Sequence, residues 1–150
     1  MKAKKRARAK KYFTVAEANA TLPLVRAIVR DVTELARDLK ERQDRLNRVY
    51  VAGKEGVDEA HREELQHLKA QAQAEFERGQ ERMREYVKEL QGLGVELKDY
   101  MTGLIDFPSR RDDRDVYLCW RLGEPEVAHW HELDAGFQGR RKLMADPARI

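Results

Sequence analysis

The stretch DVYLCWRLGEPEVAHWHEL, residues 115 to 133, decides how the second half of the chain folds. It holds two runs rich in β-branched and aromatic residues, DVYLCWRL and EVAHWHEL, divided by Gly-Glu-Pro. Runs of this kind suit a pleated, half-buried surface, and the break between them reads as the tight turn of a hairpin. A third run, GLIDFP, precedes them across the polar string RRDDRD. Together the three predict a small three-stranded antiparallel β-meander. If the turn pairs Leu122 with Val127, Trp120 stands opposite His129 and Leu118 opposite His131, and Cys119 faces the other side, across from Trp130.

Upstream of this segment the texture is helical. Thr14-Val15-Ala16-Glu17 has the spacing of a capping box, so a helix starts there. Pro23 cannot sit inside a helix without losing a hydrogen bond, which predicts a short first turn and then a long helix entered at Leu22 or Pro23. Val25, Ile28, Val32, Leu35, Leu39, Leu46 and Val49 follow at steps of three and four, with Arg42 as the polar interruption. The string VAGKEGVD ends the stripe and offers Asp58 as a cap. The pattern then resumes as Leu65, Leu68, Ala72, Phe76, Gly79, Met83, Tyr86, Leu90 and Leu93, and Gly92 and Gly94 close it. Two helices of similar length and a short loop make an antiparallel, coiled-coil-like hairpin about 40 Å long.

The expected architecture is therefore α+β: a long antiparallel two-helix hairpin over residues 13–94, then the meander and a C-terminal coil over 95–150, as a single domain. Residues 1–12 form a basic flexible tail. A narrow stripe leaves such a hairpin half supported, and four helices from two chains are the usual remedy, so a homodimer through the helices is expected.

Composition agrees with a helical surface and narrows the setting. Charged residues make up 38% of the 150 positions, and the mean hydropathy is -0.80. Seven Lys and Arg, without an acid, fall in KAKKRARAKK at 2 to 11; outside that string 23 basic residues face 27 acidic ones. Lys4, Lys5, Arg6, Arg8, Lys10 and Lys11 are the residues through which nucleic acid would be attracted, by charge alone. No aromatic precedes Tyr12 to stack on bases, and the chain has no glycine-rich phosphate loop. A single cysteine excludes an intramolecular disulfide, and no apolar run approaches the roughly 18 residues that cross a bilayer. The expectation is a cytoplasmic protein without a membrane partner.

Alternation places His129 and His131 on one face of a strand whatever its register. Two imidazoles so spaced can bind one divalent transition metal, zinc or iron, when a further ligand approaches, and Asp106, Glu124 and Asp134 are the candidates, Asp106 and Glu124 being preferred. The plain alternative is that both histidines hydrogen-bond a carbonyl or carboxylate within the sheet. Arg140, Arg121, Trp120 and Trp130 are candidates for a pocket that takes a carboxylate or phosphate, against the alternative that Arg140 pairs with Asp106 or Glu124 and locks the terminal loop. Cys119, on the opposite face in the expected register, is read as a packing residue. His67 lies off the inward helical stripe and His61 is read as solvated.

The strings YFTVAEANATLPLVRAIV, GVELKD, GLIDFP, VYLCWRLGEPEV and HWHELDAGFQGRR resemble the bacterial family catalogued as domain of unknown function 2203, from about Tyr12 to Leu143. The resemblance implies no activity or cofactor. It implies that two groups matter: Thr14, Glu17, Ala18, Asn19, Leu22 and Pro23 at the helix entry, and Asp106, Cys119, Trp120, Glu124, His129, Trp130, His131, Gly136, Phe137 and Arg140 around the sheet.

Three functional classes follow from these residues. The first is a binding module that holds a metal ion or small anion at the His/Asp/Glu/Arg cluster. The second is an interaction scaffold that recruits a protein partner through the hairpin. The third is a metal-assisted hydrolase with Glu124 as base.

Overall fold

The fold is that of a computed structural model, which describes residues 11–54 and 58–143. Two long helices, α1 (Val15–Lys54) and α2 (Glu59–Gly92), precede five strands: β1 (Glu96–Asp99), β2 (Leu104–Arg111), β3 (Arg114–Arg121), β4 (His129–Glu132) and β5 (Arg141–Lys142). A 3-10 turn, Phe137–Gly139, lies between β4 and β5. The α+β class stands as read, but the sheet has five strands and not three. β1 is built from Glu-Leu-Lys-Asp, residue types that strands disfavour, and β5 is two residues long within the expected coil.

The helix ends obey local chemistry. The Thr14 hydroxyl accepts from the Glu17 amide and the Glu17 carboxylate accepts from the Thr14 amide, each at 3.1 Å. The Asp58 side chain caps α2 by accepting from the His61 amide. The expected break before Pro23 does not occur, because α1 runs through it. Ala18, Leu22 and Val25 on either side of the proline are fully packed, while Pro23 points to solvent, where the carbonyl it cannot bond can be hydrated. At 40 residues α1 is therefore about 60 Å long, half as long again as expected.

Contacts between Tyr50 and Lys69, Arg42 and Glu75, and Leu39 and Gly79 run in antiparallel order along the hairpin. Arg42, which interrupts the apolar stripe, bridges Asp38 of its own helix and Glu75 of the other at 2.9 and 2.6 Å. Near the sheet the stripe is well buried, with Val25, Val29 and Val32 inaccessible; at the far end, among the described residues, only Leu46 is buried, and Leu68 is 48% exposed. Among the described residues no helix is long and apolar enough to cross a membrane.

All strand neighbours are antiparallel, in the order β1-β2-β3-β4-β5. Asp112 and Asp113, with φ of 50° and 61°, make the two-residue turn that fixes β2 on β3. The next connection corrects the expected register. Gly-Glu-Pro is not a tight turn: residues 122–128 form a loop, and Val127 leaves the sheet for α1, where its amide donates to the Asn19 side chain at 2.8 Å. β4 pairs one residue away from expectation, with Leu118 opposite Trp130, Cys119 opposite His129 and Tyr117 opposite His131. A shift of one residue exchanges the faces.

One face consequently gathers Ile105, Phe107, Val116, Leu118, Trp120 and Trp130 into the core with α1, Phe13, Leu90 and Val95. The other gathers Asp106, Cys119, His129 and His131. Gly103 joins α1 to the sheet: its φ is 72°, and a Cβ there would lie 2.8 to 3.0 Å from Val29, Leu122 and Thr33. Gly103→Ala therefore combines left-handed backbone strain with overpacking and should destabilise the protein by about 3 kcal/mol in urea unfolding.

Candidate metal centre

Asp106 comes from the middle of β2, Cys119 from β3 and His131 from β4, three adjacent strands whose pleat turns these side chains the same way. All three are buried, at 3%, 0% and 2% exposure. A carboxylate oxygen, the sulfur and an imidazole nitrogen all lie within 4.8 Å of one another. Three such donors around one zinc ion stand about 3.3 to 3.6 Å apart, so side-chain adjustments of about an ångström close the site.

The imidazole of His131 is fixed from behind. Its Nδ1 is 2.7 Å from the Glu132 carbonyl oxygen, which can only accept, so Nδ1 carries a proton. Nε2 is left to face Asp106 Oδ1 at 3.0 Å. Since imidazole nitrogen and carboxylate would both be acceptors there, a second proton is shared between them. The arrangement of carbonyl, Nδ1–H and inward Nε2 is the one that orients metal-binding histidines. The Tyr117 ring stacks obliquely on His131 at 5.4 Å, and its hydroxyl donates to Glu96 at 3.2 Å.

Burial sets the proton affinities. It raises Asp106 above the ordinary carboxylate value, although the hydrogen bond from His131 works the other way. Burial, reinforced by the Asp106 charge, pushes the Cys119 thiol up to about 11. Unaided, this cysteine is a poor nucleophile.

Beside the trio lies a second group. Arg140 forms a bidentate pair with Glu124, and its Nη1 also reaches Cys119 Sγ at 3.9 Å. The Arg121 amide donates to Glu124 at 2.8 Å, and the Trp120 indole donates to the Glu124 carbonyl. Burial alone would raise the Glu124 carboxyl, but hydrogen bonds from Arg140 and Arg121 outweigh it and hold the group below its ordinary value. A carboxylate so engaged is a weak general base near neutral pH. His129 Nδ1 is buried without a hydrogen bond, 3.7 Å from Glu124, and burial followed by the Arg140 charge lowers its proton affinity.

Of the four metal candidates, the structure thus joins Asp106 to His131 and sets His129 beside Glu124. Cys119, expected on the opposite face, lies between the two groups. Of the anion-site candidates, Arg121 and Arg140 both stand over the Phe137 ring, at 4.9 and 4.5 Å. Trp120 and Trp130 belong to the helix-covered core, where Arg111 and Arg141 stack on Trp130. Lys4, Lys5, Arg6, Arg8 and Lys10 lie outside the described residues. Lys11 stands over the Phe13 ring at 4.7 Å, and Tyr12 bonds Asp115. His61 and His67 are exposed, and His61 Nδ1 meets Asp58.

Fold and site together define an α+β protein in which a helical hairpin carries an antiparallel sheet with a buried acid, thiol and imidazole on the face turned away from the helical core. The chain belongs to the family described as uncharacterized conserved protein DUF2203, whose model matches residues 11–143. No curated protein and no solved structure matches it.

The Glu124 clasp has a pH signature. Because its folded-state pKa is lowered, its stabilisation is complete above the ordinary value of 4.5 and is lost as pH falls through the depressed folded value. Glu124→Gln should lower stability by about 2 kcal/mol at neutral pH, with the difference from wild type shrinking as pH falls below the ordinary value of 4.5 in urea titrations.

Proposed function

We propose that the protein is a binding module that holds one divalent transition-metal ion, zinc or iron(II), through Asp106, Cys119 and His131. The observation that carries this reading is the convergence of three different ligand types, all buried, from three neighbouring strands. Thiolate and imidazole favour zinc or iron(II) over magnesium or calcium, whose sites are built from oxygen. Three protein ligands with a further position open are also the usual set of a zinc site that accepts an exogenous ligand. A reducing, cytoplasmic setting suits a thiol ligand in a chain with no second cysteine.

Elemental analysis of protein purified without chelator should give about one metal ion per chain, and added zinc should raise the melting temperature. Cys119→Ser and His131→Gln should each weaken metal affinity by about tenfold or more, and both should remain folded by circular dichroism. Wild-type protein that carries no metal and gains no stability from zinc or iron(II) would sink the proposal.

A second reading rests on the far end of the hairpin, where Tyr50, Val51 and Leu68 are 45%, 58% and 48% exposed. We propose that a second copy of the chain covers them, completing a coiled-coil-like four-helix arrangement. Light scattering should then give a dimer that Leu68→Glu converts to a monomer without loss of helicity. A wild-type monomer at micromolar concentration refutes it.

A further inference from the structure

Beside the trio, positive charge exceeds negative. A divalent ion would be balanced by the Asp106 carboxylate and the Cys119 thiolate, and Glu124 is already balanced by Arg140. Arg121 is different. It lies two residues beyond Cys119 on the same face of β3, its guanidinium stands over Phe137, and no carboxylate among the described residues pairs with it. Two guanidinium groups thus share one aromatic ring while only one has a counter-ion. Lys142 adds a further positive charge directly across from His129 on β5.

The second observation is His129 Nδ1. It is buried, it has no hydrogen bond, and the Glu124 oxygen nearest to it is beyond hydrogen-bonding reach at 3.7 Å. A buried polar atom in that condition is destabilising unless a ligand or water completes it. His129 is the cross-strand neighbour of Cys119, so the unpaired nitrogen borders the same trio.

We infer that the open coordination position of the ion receives a small oxyanion, a carboxylate or phosphate group, which Arg121 holds and His129 completes. The inference rests on the metal reading above and adds to it the class of ligand. Arg121 supplies a planar donor fork matched to paired oxygens, and Phe137 presets its orientation. Arg140 takes no part in holding the anion, because Glu124 occupies its fork; its task is to donate to the Cys119 sulfur.

The test uses the full chain loaded with cobalt(II). Ligation by Cys119 gives a sulfur-to-cobalt charge-transfer band, and the ligand-field bands report the open position. Inorganic phosphate and acetate are titrated separately at constant ionic strength. A saturable ligand-field change with at least one of them is expected, and the responding probe identifies the source of the oxyanion. Arg121→Ala should weaken that anion by about tenfold and leave the charge-transfer band intact. A charge-transfer band with no response to either anion, or equal affinity in Arg121→Ala, overturns the oxyanion inference and leaves the metal reading standing. Absence of the charge-transfer band overturns the metal reading, and the inference falls with it.

Discussion

The contact between Asp106 and His131 is the constraint around which the sheet face away from the helical core is organised. Both residues are removed from water in the middle of strands whose other face is already sealed by helices. Isolated burial of either as an ion would be costly by several kcal/mol, and the pair is tolerated because both imidazole nitrogens are matched, Nε2 with Asp106 Oδ1 and Nδ1 with the Glu132 carbonyl. A well-packed apolar pair in the same volume would serve stability as well or better. Stability alone therefore gives no reason for an acid, a thiol and an imidazole to meet at that point, which is what the proposed binding role would explain.

The helices matter to this face through a single loop. Asn19 of α1 makes a two-way amide bond with Val127, and Arg26 donates to the Pro125 carbonyl while lying over the Trp120 ring. Both ties act on residues 122–128, the segment that carries Glu124. Glu124 in turn orients Arg140, and Arg140 touches Cys119. The helix entry and the sheet cluster, which looked like two separate groups along the chain, are the two ends of one chain of contacts.

Local chemistry was legible in the sequence and tertiary choice was less so. The Thr14 and Asp58 caps and the hairpin depend on neighbours a few residues away, and the structure keeps them. Pro23 stays inside α1 because the packing of Ala18, Leu22 and Val25 on either side of it outweighs its poor helix propensity. The strand register turned on whether Gly-Glu-Pro was a turn, and the wrong choice placed Cys119 on the wrong face. A different criterion was available: Leu118, Trp120 and Trp130 are the large apolar residues of β3 and β4, and burying all three on one face requires the register now seen. That register carries Cys119 to His129 and His131. β1 and β5 had no comparable signal, since polar edge strands are defined by the neighbour they pair with.

The electrostatics of the trio argue in the same direction as its geometry. Asp106 and Cys119 are two acids in one dry site, each raised by burial, and the charge of Asp106 raises Cys119 further. Neither the Arg140 guanidinium at 3.9 Å nor the imidazole partner is enough to offset this. The site thus has ligand atoms in place, and burial holds the proton affinities of both acids above their ordinary values. In the reading we propose, a divalent cation would sit where these donors converge and would release the thiol proton and the proton held between Asp106 and His131. On that reading the acids of the trio and the cationic side chains of Arg121 and Lys142 beside it would form one ligand environment, with a cation inside and an anion at its edge.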